Sequence, residues 1–63
     1  MTLILNRDLT VTASKPGGDP FSKALKGGKE YKVTDVLYNG STINFTLTGK
    51  IRVLKLSTKY LKR

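Results

Sequence analysis

Lysine and arginine are the residues of this sequence with the clearest chemistry, because they outnumber the acidic residues twelve to four. The formal net charge is +8 at pH 7, and the sequence pI is about 10.1. One group of cations falls at residues 23–32 and a second at residues 50–63. Closely placed cations neutralise phosphates and release counterions, which gives affinity for nucleic acid without reading base sequence. The residues predicted to make these contacts are Lys23, Lys26, Lys29, Lys32, Tyr38, Lys50, Arg52, Lys55 and Lys59.

Exposed aromatic rings among these cations would add base stacking to the binding. Tyr38 is the one aromatic residue that we expect at a hairpin tip and open to solvent. The other four fit core positions better than a stacking platform: Phe21, Tyr31, Phe45 and Tyr60. Contacts to the phosphate backbone therefore explain the pattern more economically than stacking. A solvated surface that keeps a small protein soluble is the simpler alternative reading of the charge.

The residue types that most catalysis requires are missing. Without His or Cys, no Ser-His or Cys-His nucleophile pair forms, and no zinc, haem or iron–sulfur site is plausible. The four acidic residues are scattered and form no evident carboxylate pair. The glycine pairs at residues 17–18 and 27–28 lie in no dinucleotide-binding or phosphate-loop pattern. We expect a protein that is not an enzyme and needs no cofactor or metal.

The beginning of the chain carries no targeting pattern. Residues 1–8 contain an apolar run of only three residues, without the basic and apolar regions of a secretory signal. No apolar run approaches the roughly 18–20 residues that a membrane span needs. If Met1 is the true start, we expect a cytoplasmic protein with no membrane partner. The 63 residues predict one domain, over residues 1–63.

Short alternating segments predict the elements that position the cations. Residues 2–5, 9–13, 30–37, 41–48 and 51–56 read as strands. Glycines at 40 and 49 mark the two turns of a meander formed by the last three strands. At the end of the chain, Ser57 or Thr58 predicts the cap of one tight turn, after which Tyr60 and Leu61 return to the core.

Residues 19–28 predict one or two helical turns. Asp19 suits the N-cap and Pro20 the first helical position, and Gly27 suits the position after the last turn. Phe21, Ala24 and Leu25 would share one apolar face. This helix would cover one end of the core.

The parity of the turns predicts the register of the meander. A three-residue loop at 38–40 would pair Tyr31 with Leu47 and Val33 with Phe45. A three-residue loop at 48–50 would place Leu47 beside Ile51 and Phe45 beside Val53. The predicted core is then Tyr31, Val33, Phe45, Leu47, Ile51 and Val53. The predicted rows of the opposite face are Lys32, Thr46 and Arg52, then Thr34, Asn44 and Leu54.

Asp35 is the exception in this register, because it shares the core face opposite Ile43. An ionised side chain is costly to bury without a partner. We therefore expect a bulge or a sheet edge at Asp35.

Several short stretches together carry a resemblance to a known family. They are LTVT at 9–12, a long loop, KGGKEYKV at 26–33, an Asn-Gly turn, TGK at 48–50 and STKYLK at 57–62. In this order they resemble bacterial SH3 domains, of the SH3b type and related Gram-positive wall modules. The family usually has a Gly-Trp pair entering its penultimate strand, where this chain has KIRV at 50–53. The family's Arg-rich stretch after its first strand is replaced by ASKP at 13–16.

The resemblance implies a mainly β fold, a small SH3-like barrel of about five short antiparallel strands with one short helical turn segment. It also implies a cell-wall-binding module. The charge favours a different function, a small non-catalytic protein that binds DNA or RNA through Lys and Arg, of the kind that a phage or other mobile element encodes. A protein-interaction module or inhibitor that docks on an acidic partner is the third alternative, and the oligomeric state stays open.

Overall fold

The computed structural model describes residues 1–62 and is built almost entirely of antiparallel strands. The strands are β1 (Thr2–Ile4), β2 (Leu9–Ser14), β3 (Phe21–Leu25), β4 (Glu30–Asn39), β5 (Thr42–Leu47) and β6 (Ile51–Ser57). They form one sheet in the order β1-β4-β5-β6-β2-β3. The sheet curls into a small SH3-like barrel, which confirms the predicted fold class with six strands rather than five. Within residues 1–62, no helix is long and apolar enough to span a membrane.

The core lies inside the curled sheet and is centred on β5. Phe45 is fully buried there, with Ile43 and Leu47 on the same side of the strand. The other buried apolar residues are Leu3, Leu5, Ala13, Leu25, Val33, Val53 and Leu56. Of the predicted core residues, Tyr31 and Ile51 are only half-buried and pack against this cluster. The alternation of β5 had predicted its inward face correctly.

The helix predicted at residues 19–28 is wrong, because this segment contains β3. All five residues of β3 pair with β2, from Leu9 opposite Leu25 to Ala13 opposite Phe21. A helix between Pro20 and the glycine pair would have only about two turns, too few to be stable by itself in water. Phe21 and Leu25 share a face in a strand as they do in a helix, so pairing with β2 decides the conformation.

The turn between β4 and β5 is shorter than the sequence predicts. Asn39 pairs with Thr42, which leaves Gly40 and Ser41 as a two-residue turn. Gly40 has a φ of 66°, as the first central position of a type II′ turn requires. This turn and the one-residue register shift between Thr34 and Leu37 together place Val33 opposite Leu47, so the predicted pairings of Val33 with Phe45 and of Tyr31 with Leu47 are wrong by two residues.

The irregularity expected at Asp35 is confirmed. The register shifts between Thr34 and Leu37, so that Asp35 and Val36 together face one residue of β5. Asp35 has a φ of 52° and its side chain is exposed. The bulge lets Val36 pack against the core while the carboxylate stays in water.

The turn between β5 and β6 follows the prediction. Leu47 pairs with Ile51 and Phe45 with Val53, on either side of the loop at 48–50. A second bulge then places Leu54 and Lys55 opposite Asn44, whose side-chain oxygen accepts a hydrogen bond from the Lys55 backbone N–H at 2.8 Å. Bulges on both sides of β5 increase the local bend of the sheet, which helps to close the barrel.

The first predicted row of the outer face is wrong in one position. Thr34, not Lys32, pairs with Thr46, which pairs in turn with Arg52. The same register change places Leu37 beside Asn44 in the second row, where Thr34 was predicted. Lys32 instead pairs with Thr2 of β1.

The tight turn predicted near the end of the chain is confirmed as a 3₁₀ turn at Thr58–Tyr60, preceded by Ser57. Ser57 makes no side-chain capping hydrogen bond. Tyr60 and Leu61 are partly buried against the core, as expected.

Candidate nucleic-acid interface

The connection between β1 and β2, residues 5–8, is the backbone around which the basic residues gather. On one side it contacts the connection between β3 and β4. Gly28 N–H donates to Leu5 O at 2.8 Å, and Gly27 N–H donates to Asp8 Oδ1 at 2.8 Å. A Cβ on Gly27 would lie 2.7 Å from the Arg7 Cα. Only glycine therefore allows these two segments to approach so closely.

The other side of residues 5–8 contacts the end of the chain. Asn6 N–H donates to Tyr60 O at 2.8 Å, and the Asn6 side-chain amide donates to Lys59 O at 2.9 Å. Leu5 also forms an isolated antiparallel bridge with Leu61. The connection thus lies between residues 26–28 and residues 58–62, which are far apart in sequence.

Two tyrosine rings near residues 5–8 make cation–π contacts with basic side chains. Arg7 and Lys59 both lie over the Tyr60 ring, at 5.9 and 5.1 Å from its centroid. Lys29 lies 5.3 Å from the centroid of Tyr31. Cation–π contacts of this kind contribute about 0.5–1 kcal/mol at exposed sites, enough to bias where a flexible side chain lies.

Two more lysines have their backbone at the same contacts and their side chains exposed. The backbone N–H of Lys26 donates to the Tyr31 hydroxyl at 2.7 Å, directly beside Gly27. The backbone N–H of Lys62 donates to Ile4 O at 2.8 Å. We call the resulting set the basic cluster, and its members are Arg7, Lys26, Lys29, Lys59 and Lys62.

The part of the basic cluster formed by Lys59 and Lys62 is shallow. Asn6, Lys59, Lys62 and their neighbours Thr58 and Leu61 line an open hollow of about 550 Å³. Asp8 lies next to Arg7 and contributes one negative charge, but its carboxylate is engaged by the Gly27 N–H. An open, cationic hollow suits an extended anionic chain better than an enclosed small molecule.

Three of the sequence-predicted site residues lie in the basic cluster: Lys26, Lys29 and Lys59. Lys23 does not, because it is half-buried on β3 opposite Val11. Lys32 follows Tyr31 on β4 and so points to the other face of the strand. Lys50 lies in the turn between β5 and β6, where its N–H donates to Leu47 O at 3.1 Å.

The remaining predicted residues have other surroundings. Arg52 uses Nη1 to donate to Asp35 O at 2.9 Å and to Thr46 Oγ1 at 3.0 Å, so its guanidinium fastens the β4 bulge. Lys55 is exposed in the β6 bulge and, with Tyr60, lines a groove between β2 and β6. Tyr38 is 59% exposed, as expected.

Sequence reasoning missed Arg7 as a site residue. It stands in a short polar break between two strands, with no other cation nearby in the sequence. Arg7 lies near Lys26 because its backbone packs against Gly27, and near Lys59 because its guanidinium lies over the Tyr60 ring. Neither contact is visible in the sequence. Lys62 was counted among the C-terminal cations but not as a site residue, and Arg63 lies outside the described residues.

No family model, curated protein or solved structure matches the chain.

Proposed function

We propose that the protein binds nucleic acid through phosphate contacts made by the basic cluster. The observation that carries this proposal is the convergence of cations from residues 7, 26–29 and 59–62 on the connection between β1 and β2. Four acidic side chains can pair with at most four of the twelve cations, so at least eight remain without a side-chain carboxylate of their own. A polyanion supplies the missing negative charge.

The same geometry favours contacts to the backbone over contacts to bases. Tyr31 and Tyr60 are half-buried, and cations already lie over their rings. Stacking on bases requires an open aromatic face. Tyr38 has an exposed ring, and Phe21, contrary to the core position predicted for it, is also exposed. The two rings lie on β4 and β3, which do not pair, so they provide no row of stacking sites. We therefore expect little base preference and a steep dependence of affinity on salt.

The test is a salt titration of binding to random-sequence DNA and RNA oligonucleotides, measured by fluorescence anisotropy. The site variant is Arg7→Glu with Lys59→Glu. The matched control is Lys15→Glu with Lys50→Glu, which changes the net charge equally at two exposed positions in other loops. Each lost phosphate contact reduces the slope of log K against log salt by about 1, so the site variant should lose about 2.

The control variant should keep a slope close to that of the unmodified protein. Equal losses in both variants would mean that affinity follows total charge, and the basic cluster would then have no special role. If no oligonucleotide binds in low salt, the proposal fails. Sedimentation with purified peptidoglycan in the same buffers tests the cell-wall alternative, which predicts binding with little dependence on salt.

A further inference from the structure

A second surface of the molecule has the opposite chemistry from the basic cluster. Residues 33–49 contain none of the twelve cations, and Asp35 is their only charged residue. They form most of β4, all of β5 and the turn between them. Leu37 and Tyr38 on this hairpin are each 59% exposed. This neutral stretch with two adjacent exposed apolar side chains contrasts with the net charge of +8 on the chain.

The edge of β4 is open along the second half of the strand. β1 pairs with β4 only from Thr2 opposite Lys32 to Ile4 opposite Glu30, and Met1 O extends the contact to the Val33 N–H. Beyond Thr34, no strand in residues 1–62 pairs with this side of β4. An open strand edge is a template for pairing with another chain.

The backbone of Tyr38 faces this open edge. Asn39 and Thr42 flank the two-residue turn and so form a hydrogen-bonded pair. Hydrogen-bonded and non-hydrogen-bonded pairs alternate along antiparallel strands, which makes Tyr38 and Ile43 a non-hydrogen-bonded pair. The N–H and C=O of Tyr38 consequently point away from β5, toward solvent.

We propose that this edge pairs with the same edge of a second copy of the chain, forming a two-fold symmetric dimer. Two chains of charge +8 repel each other over most orientations. The hairpin is where they can touch without bringing cations together. Antiparallel pairing centred on Leu37 places Val36 opposite Tyr38 of the second copy, so both can exchange backbone hydrogen bonds.

The same register also separates the acidic residues. It places Asp35 opposite Asn39 of the second copy and not opposite its own counterpart, so no like charges meet across the new pair. Leu37 lies on the two-fold axis, where the two copies of its side chain would pack against each other. The dimer is therefore compatible with the charge and with the exposed apolar residue.

The other sheet edges are less suited to this pairing. β1 has only three residues. β3 follows Pro20 and carries Lys23 at its centre, and proline and lysine are residues that discourage edge pairing. The open edge of β4 is longer than β1 and, unlike β3, has neither a cation nor a preceding proline.

Sedimentation equilibrium of the protein alone, without nucleic acid, tests the dimer. The measurement uses about 1 M salt, where the Debye length falls to about 3 Å and repulsion between the basic surfaces is screened. We expect a monomer–dimer equilibrium that shifts toward the dimer with concentration. Leu37→Lys would remove the apolar contact on the two-fold axis, an effect that salt does not screen, and we expect it to raise the dissociation constant about tenfold or more.

Leu54→Lys is the matched control, because Leu54 is similarly exposed, at 52%, and lies on β6 away from the β4 edge. It should leave the equilibrium unchanged, and circular dichroism verifies that both variants fold. A wild-type protein that stays monomeric at every concentration would overturn the proposal, as would equal dissociation by both variants.

Amide hydrogen exchange of Tyr38 provides a readout that needs no substitution. Its protection should rise with protein concentration, whereas the Asn39 amide, bonded within the hairpin, should be protected throughout. A Tyr38 amide that exchanges equally fast at all concentrations contradicts edge pairing. These measurements are independent of nucleic-acid binding, so either proposal can fail without the other.

Discussion

The basic cluster and the neutral hairpin at residues 33–49 are assembled in different ways. The hairpin is one continuous stretch whose strands pair across a two-residue turn. The basic cluster draws its cations from three separate stretches that meet only where residues 5–8 contact Gly27 and Tyr60. The hairpin contains the central residues of the core. The cations of the basic cluster are held in place by backbone contacts of residues 5–8.

This contrast shows that the two surfaces respond to different changes. Substitutions of the buried residues of the hairpin act on the stability of the whole domain, because Phe45 and its neighbours form the core. Substitutions of exposed cations act on binding with little effect on the fold, because such residues contribute little packing. Changes at the contact between the segments should affect both properties.

Phe45→Ala is expected to have the largest effect. Phe45 is fully buried, and removing a buried phenylalanine costs about 3–5 kcal/mol. A domain of this length has a total stability of only about 3–9 kcal/mol, so most molecules of a protein at the lower end of that range would unfold. Thermal denaturation followed by circular dichroism should show a strongly lowered or absent transition. A cooperative transition near that of the unmodified protein would contradict the position of Phe45 in the core.

Gly27→Ala should have the next largest effect. It should lower both the stability of the fold and the affinity for nucleic acid. The new Cβ would lie 2.7 Å from backbone atoms of Arg7, so residues 5–8 must shift. We expect a loss of about 1–3 kcal/mol in the free energy of unfolding and weaker binding to nucleic acid. Urea denaturation and anisotropy measure the two effects.

Gly18→Ala is the matched control for Gly27→Ala. Its Cβ would be 3.5 Å from Lys15 O, an ordinary contact, and Gly18 does not have a positive φ. Both stability and binding should stay near the unmodified values. If the two alanine variants behave alike, the close approach at Gly27 does not position the basic cluster.

Arg52→Gln tests whether Arg52, one of the predicted site residues, contributes to nucleic-acid binding or to the stability of the fold. The guanidinium donates two hydrogen bonds that join β6 to β5 and to the β4 bulge, so its loss should cost about 1 kcal/mol of stability. Affinity for nucleic acid should fall no more than in Lys15→Gln, which removes one exposed charge. A much larger loss of affinity would place Arg52 in the interface and contradict its purely structural assignment.

Thr48→Asn should have the smallest effect, and it should be favourable. Thr48 has a φ of 50°, a conformation that a β-branched residue tolerates poorly and asparagine tolerates better. We expect a stability gain of less than about 1 kcal/mol, measured by urea denaturation. Thr34→Asn, in an ordinary strand position, should bring no gain. Destabilisation by Thr48→Asn would mean that the Thr48 hydroxyl bond to Leu47 O outweighs the backbone strain.

The sequence predicted the pairing of β5 with β6 well because the signals for it are local. Alternation in β5 fixed which residues face the core, and the odd loop at 48–50 fixed the pairing of Phe45 with Val53. The charge of Asp35 predicted the bulge, because a carboxylate on the core face must escape to water. These inferences depend only on the pleat of a strand and the cost of burying charge.

The predictions that failed depend on contacts between distant residues. The stretch at 19–28 carries helix signals, and only its pairing with β2 makes it a strand. The two-residue turn at Gly40-Ser41 keeps Val33 on the core face only because the bulge at Asp35 shifts the register by one residue. Both outcomes depend on interactions with other strands, which the sequence of a short segment does not reveal.

The sequence by itself determined that this protein is a small β protein with a large positive charge and with neither His nor Cys. The tertiary structure decided where the charge gathers and where it is absent. Arg7 joins Lys59 only because Gly27 admits the backbone of residues 5–8. The open edge of β4 exists only because β1 is too short to cover it. Composition fixes the amount of charge, but the folded backbone fixes its position, because side chains from distant stretches become neighbours only when the sheet closes.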